Sequence, residues 1–259
     1  DTVTYTLAGA INPDTGWGLV DETWQAMETL GRYGGITWFN LGDRDLGTHL
    51  FRTQRLSEGA TLSEVTVAIA AGWGLDLTVL PVTDGRLRTM VTLEDTGDEI
   101  GFQEYFVQRH HDVAVRSVRF DGAEACTAAP GVLDAITSAD RLVIAPSNPI
   151  VSIGPLLAVP GVRDAVVARR ESTVAVSPII AGAALKGPAD RLLRELGHES
   201  TVVGVARLYR DLAATLIVDT ADADLAPAVE AEGLRCVVAP TIMSGPDEAA
   251  ALGRVVLTA

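Results

Sequence analysis

The sequence predicts an α/β fold: a three-layer, Rossmann-like, mainly parallel sheet with helices on both faces and an inserted helical lobe. Two observations lead there. After Asp121, four short apolar runs appear, Leu142–Ala145, Thr173–Val176, Thr215–Val218 and Cys236–Ala239, and amphipathic stretches alternate with them. Continuous β-branched runs suit strands buried on both faces, and the intervening helices supply the crossovers that parallel pairing needs. Composition agrees: apolar residues are 47% of the 259 but aromatics only 5%, so the core must be built from Ala, Val, Leu and Ile.

The elements follow in order. Asp1 or Thr2 caps a short helix through Leu7, and Asp21-Glu22 opens another running to Arg32. A helix from Asp43 to Leu56 follows Trp38-Phe39-Asn40-Leu41-Gly42, and Thr61 with Glu64 starts the next. Leu77–Val82 and Thr89–Leu93 read as strands, Gln103–Arg109 as helical, and alternating Val113, Val115, Val118 and Phe120 as a strand. In the second half, helices are expected near Ile153–Ala168, Ala189–Leu196, Val203–Leu212, Leu225–Glu232 and Asp247–Leu257. The chain is therefore expected to form a single α/β domain, 1–259, with a helical lobe over about 1–121 and the parallel sheet over about 122–259.

Charge excludes some functions. The 34 acids against 20 Lys and Arg leave a net charge of −14, the opposite of a nucleic-acid footprint. The uncharged stretch Ser172–Leu185 is too short to span a bilayer and contains Pro178, so no membrane partner is expected. Cys126 and Cys236 make neither a disulfide framework nor a metal cluster; with no signal peptide expected, a cytoplasmic protein is predicted. Glycine-rich dinucleotide, P-loop and nucleophile-elbow motifs do not occur.

Ligands of parallel sheets bind at the carboxyl ends of the strands. The first such end carries Ser147, Asn148, Ser152 and Gly154, polar groups beside a helix start that suit either phosphate binding or ordinary capping. The second carries Ser177, small residues around Gly182, and Lys186 as a phosphate counter-charge or a plain surface lysine. Two neighbouring ends of this kind favour a nucleotide phosphate pocket. In the first half, Gly42–His49 concentrates acids, hydroxyl and imidazole. Asp45 and His49 share a helix face there, suited to a divalent cation or to simple capping and pairing. Trp17 stands in a loop between Gly16 and Gly18, where burying a core tryptophan would be awkward, and Asn40, Asp43 and Asp45 lie together at a predicted helix start. His110, His111 and His198 read as structural.

Together these segments resemble the 2-phospho-L-lactate transferase family of coenzyme F(420) biosynthesis. The resemblance is carried by Tyr5–Gly9 with Gly16-Trp17-Gly18, by Trp38–His49, by Ser147–Pro155, and by Ser177–Gly182 with Lys186-Gly187-Pro188, in the family's order. It implies a Mg²⁺-dependent transferase that moves a phospholactyl or phosphoenolpyruvyl group from a guanosine diphosphate-linked donor to the deazaflavin Fo, with release of GMP. It further implies donor binding by Ser147, Asn148, Ser152, Gly154, Ser177, Gly182 and Lys186, and acceptor binding by Trp17, Asn40 and His49. Asp43 and Asp45 would be catalytic, Asp1 a metal ligand, and a homodimer is plausible. The family's opening glycine-rich loop has no counterpart here, so residues upstream of Asp1 are expected, and Leu19 and Val20 stand where a basic residue is usual. The alternative from another class is a non-catalytic nucleotide-sugar-binding regulator sharing the same phosphate loops.

Overall fold

The computed structural model describes residues 1–259. Four helices come first: α1 (Thr2–Leu7), α2 (Gln25–Arg32), α3 (Asp43–Ser57) and α4 (Leu62–Gly72). A three-stranded antiparallel sheet follows from β1 (Arg88–Leu93), β2 (Glu99–Gly101) and β3 (Val115–Asp121), with β1 in the centre and a π-helical turn, Glu104–Gln108, between β2 and β3. Next come α5 (Val132–Ser138), β4 (Leu142–Ile144), a π-helical turn over Pro149–Ile153, α6 (Gly154–Leu157), α7 (Val162–Ala168) and β5 (Thr173–Val176). A small hairpin of β6 (Ile179–Ile180) and β7 (Ala183–Ala184) leads to α8 (Ala189–Glu195) and α9 (Val202–Tyr209). The chain closes with β8 (Thr215–Val218), α10 (Ala226–Ala231), β9 (Arg235–Val238) and α11 (Pro246–Thr258).

The principal sheet is parallel throughout, in the order β4-β5-β8-β9. Side chains alternate across it as the period of two requires. Ala175, Leu216 and Val218 pack with Leu193 of α8, Val202 and Val205 of α9 and Val229 of α10. Val174, Val176 and Ile217 face Leu252 and Val256 of α11 on the other side. Helices thus cover both faces of a mainly parallel sheet, as predicted. The antiparallel sheet buries Val91, Leu93 and Val115 with Tyr105 against Val151 and Leu192, which ties it to the segments that follow β4 and β7.

Several elements differ from the sequence prediction. Leu77–Val82 forms no strand: Pro81 lacks a ladder donor, and the segment instead packs Leu80 and Val82 beside Cys126, Val132 and Val162. The helix expected over Ile153–Ala168 breaks at Pro160-Gly161, where Gly161 adopts φ +84°, and the flanking helical pieces meet at 97°. α2 begins at Gln25 rather than at Asp21, which has a positive φ of 55°. α5, β2 and the β6–β7 hairpin were not foreseen. No single helix is long and apolar enough to cross a membrane.

Candidate functional site

A cavity of about 720 Å³ opens at the carboxyl end of the parallel sheet. Its walls come from the loop after β4 (Pro146, Ser147, Asn148, Ser152), the loop after β5 (Ser177, Pro178) with Ile180 and Leu185–Ala189, and the loop after β9 (Thr241, Ile242, Met243). Phe102 and Phe106 add an aromatic side, their rings stacked at 5.6 Å and 20°.

Two polar groups here serve the backbone. Asn148 Oδ1 accepts hydrogen bonds from the Ile150 and Val151 N–H groups at 2.9 and 3.3 Å, capping the turn that begins at Pro149. Ser177 Oγ closes a tight turn, accepting from the Ile179 N–H and donating to the Ile179 carbonyl. By contrast, the hydroxyls of Ser147 and Ser152 and the ammonium of Lys186 make no hydrogen bond or ion pair within the chain. Lys186 is also the chain's only lysine. Gly154 and Gly182 lie off the cavity lining: a Cβ on Gly154 would stand 2.8 Å from Phe120 Cζ, and Gly182 supplies the φ of +79° that turns the hairpin.

A second constellation forms around α1 and α3. Asp1, Asp45 and His49 bring ligand atoms within 4.8 Å of one another. His49 Nε2 lies 3.7 Å from Asp1 and 3.9 Å from Asp45. Arg52 pairs with Asp1, and the buried Tyr5 donates its hydroxyl to Asp45 Oδ1 at 2.7 Å. Burial holds the His49 imidazole below its ordinary value against the opposing pull of Asp45, so it is neutral and able to ligate near pH 7. Burial likewise pushes the Tyr5 phenol up to about 12.

Asp43 stands outside that cluster. Its oxygens accept from the Thr23 hydroxyl and from the N–H groups of Gln25 and Ala26, so it caps α2. The Thr23 hydrogen bond above all, then that from Ala26, holds its carboxyl below the usual value. Glu22 returns the favour, accepting from the Arg44 and Asp45 N–H groups at the start of α3. That reciprocity needs Gly42, because a Cβ there would fall 2.1 Å from the Glu22 carboxyl carbon. Trp17 is 56% exposed and Asn40 is exposed with no side-chain partner. The loop bearing Trp17 reaches the cavity through Gly16, where a Cβ would lie 3.3 Å from Lys186 Nζ.

Sequence reasoning missed Asp219, Asp222, Thr241 and the Phe102–Phe106 pair. Asp219 follows β8 directly, so the rule that directs attention to strand carboxyl ends covers it. The phenylalanines arrive from the antiparallel sheet and carry no local signal.

The family model described as 2-phospho-L-lactate transferase CofD matches residues 1–240. A protein named phosphoenolpyruvate transferase from Streptomyces griseus subsp. griseus is 47% identical over 258 residues, 98% of this chain and 81% of the relative. One of the same name from Mycolicibacterium smegmatis is 42% identical over 259 residues, 98% and 79% of the two chains. Among solved structures, the Bacillus halodurans protein BH3568 superposes with a TM-score of 0.61 at 16% identity, over 98% of this chain and 82% of that one, a likeness of fold.

Proposed function

This chain belongs to the 2-phospho-L-lactate transferase CofD family, and on that premise we propose that it transfers a phosphoenolpyruvyl or phospholactyl group from a guanosine diphosphate-linked donor to the deazaflavin Fo in coenzyme F(420) biosynthesis. The name shared by the relatives, phosphoenolpyruvate transferase, favours the enolpyruvyl donor. The observation that carries the reading is Lys186: a lone, unpaired lysine facing a cavity with two free serine hydroxyls, in a chain of net charge −14. A diphosphate is the ligand class that such a site attracts against the protein's overall field.

In this mechanism Lys186, Ser147 and Ser152 hold the donor phosphates, while Phe102 and Phe106 shield that side from water. The acceptor hydroxyl forms a bond to the phosphorus bearing the enolpyruvyl group. The bridging P–O bond breaks, and its electron pair leaves with GMP. Asp45 takes the hydroxyl proton on Oδ2, because Oδ1 faces Tyr5 and His49. Trp17 and Asn40 orient the acceptor, and Asp43 keeps α2 and α3 in register behind them. The donor set of Asp1, Asp45 and His49, two carboxylates and a neutral imidazole, fits a divalent cation; Mg²⁺ held there would offset the donor's charge.

The test is GMP release from each donor in the presence of Fo, with and without Mg²⁺. Lys186→Ala is expected to raise the donor KM by about tenfold or more while changing kcat less, since it removes a charge-assisted contact made before the transition state as well as in it. Ser152→Ala should act in the same direction with a smaller effect. No GMP release from either donor would overturn the reading.

A further inference from the structure

Two buried carboxylates outside this mechanism occupy one short turn between the walls of the cavity. The loop after β8 lies between those after β5 and β9, because β8 lies between these strands in the sheet. It carries Asp219 and Asp222, each only 5% exposed and neither paired with a cation. Asp219 Oδ2 accepts from both the N–H and the hydroxyl of Thr241, at 2.8 and 2.9 Å, and Oδ1 accepts from the Ala221 N–H and the Thr220 hydroxyl. Asp222 Oδ2 accepts from the Ala181 N–H at 2.9 Å. Ala181 is a non-glycine residue at φ +50°, at the bend of the β6–β7 hairpin.

Burying a carboxylate without a cation is costly, and here backbone and hydroxyl donors offset the loss of water. What those donors have in common is position. Thr241 begins the Thr241–Met243 wall, and Ala181 turns the hairpin that delivers Leu185 and Lys186 to the opposite wall. We propose that Asp219 and Asp222 are positioning residues for the transfer reaction. From one turn, Asp219 holds the Thr241–Met243 wall and Asp222 holds the hairpin that leads to Lys186. The separation of the two walls, and with it the affinity for the nucleotide diphosphate, is set by this pair of acids. Neither acid touches the ligand.

This inference rests on the nucleotide reading of the cavity, and the experiment separates the two. GDP binding is measured by calorimetry, thermal stability is measured alongside, and the donor KM and kcat are determined for each variant. Asp219→Asn, which replaces an acceptor oxygen with a donor, is expected to weaken GDP binding about tenfold and to raise the donor KM with kcat little changed. Thr241→Val should weaken binding about fivefold, and Thr241→Ser, which keeps the hydroxyl, should restore it to near wild type. Asp222→Ala should weaken binding, while Asp222→Asn, which keeps a carbonyl oxygen for the Ala181 N–H, should not. If Asp219→Asn fails to fold, the Thr241 pair decides the question. Variants that melt earlier yet bind GDP as tightly as wild type would overturn the positioning role alone. A wild-type protein that binds no GDP would remove the nucleotide reading and this proposal with it.

Discussion

Asp43 and Asp219 both spend their charge on N–H and O–H donors rather than on an arginine or lysine. For Asp219, burial pushes the carboxyl up, but the hydrogen bonds from Ala221, Thr241 and Thr220 together outweigh it, and the folded group lies below its ordinary 3.8. The folded protein therefore binds that proton less readily than the unfolded chain. The stability this contributes is complete above pH 3.8 and is lost as pH falls through the folded value. Asparagine does not titrate. The difference in unfolding free energy between wild type and Asp219→Asn, measured with urea across pH, should be largest near neutrality and shrink below about pH 4. A difference that stays constant with pH would show that the charge of Asp219 contributes nothing. Glu22 and Asp43 illustrate the limit of reading acids from sequence. Both are recognisable as helix-start residues, but each caps the other's helix, and only the packing of α2 on α3 decides that exchange.

Among the elements, α4 has the most complete local specification. Thr61 Oγ1 accepts from the Glu64 N–H, and the Glu64 carboxylate accepts from the Thr61 N–H in return. Thr61→Ala is expected to cost about 1 kcal/mol, read as a lower denaturant midpoint with unchanged slope. This box was legible in the sequence because both partners lie three residues apart. The four parallel strands were legible for a similar reason, since buried β-branched runs announce themselves over four residues. Leu77–Val82 has the same apolar look but packs as a loop, because Pro81 interrupts pairing and Val82 makes one backbone bond, from the Ala129 N–H, instead of a ladder. Phe102 and Phe106 gave no warning. They reach the cavity only because β2 pairs with β1, and β1 with Tyr105 packs on Val151 and Leu192. The phosphate-binding candidates Ser147, Ser152 and Lys186 could be found from strand ends, whereas the acids that hold the surrounding loops required knowledge of which strands are neighbours.

Across the whole molecule, acidic groups outnumber basic ones by enough to repel a diphosphate from most of the surface, and nearly all the positive charge is arginine. Many of these guanidiniums are already engaged: Arg52 with Asp1, Arg119 with Glu99 and Asp121, Arg191 with Glu195, and Arg207 with Glu199 and Glu232. Lys186 is different in kind as well as in number. A lysine-specific endoprotease has one target bond in this chain, Lys186–Gly187, within an exposed loop between β7 and α8. Within these 259 residues the cut falls at that bond alone, and GDP in the cavity should slow it; an undiminished rate at saturating GDP would place the nucleotide elsewhere. The same arithmetic applies to reagents that acylate amines. Within these 259 residues they find one side-chain amine, so attaching the protein to a surface through Lys186 would block the cavity, whereas coupling through carboxylates elsewhere on the surface would spare it.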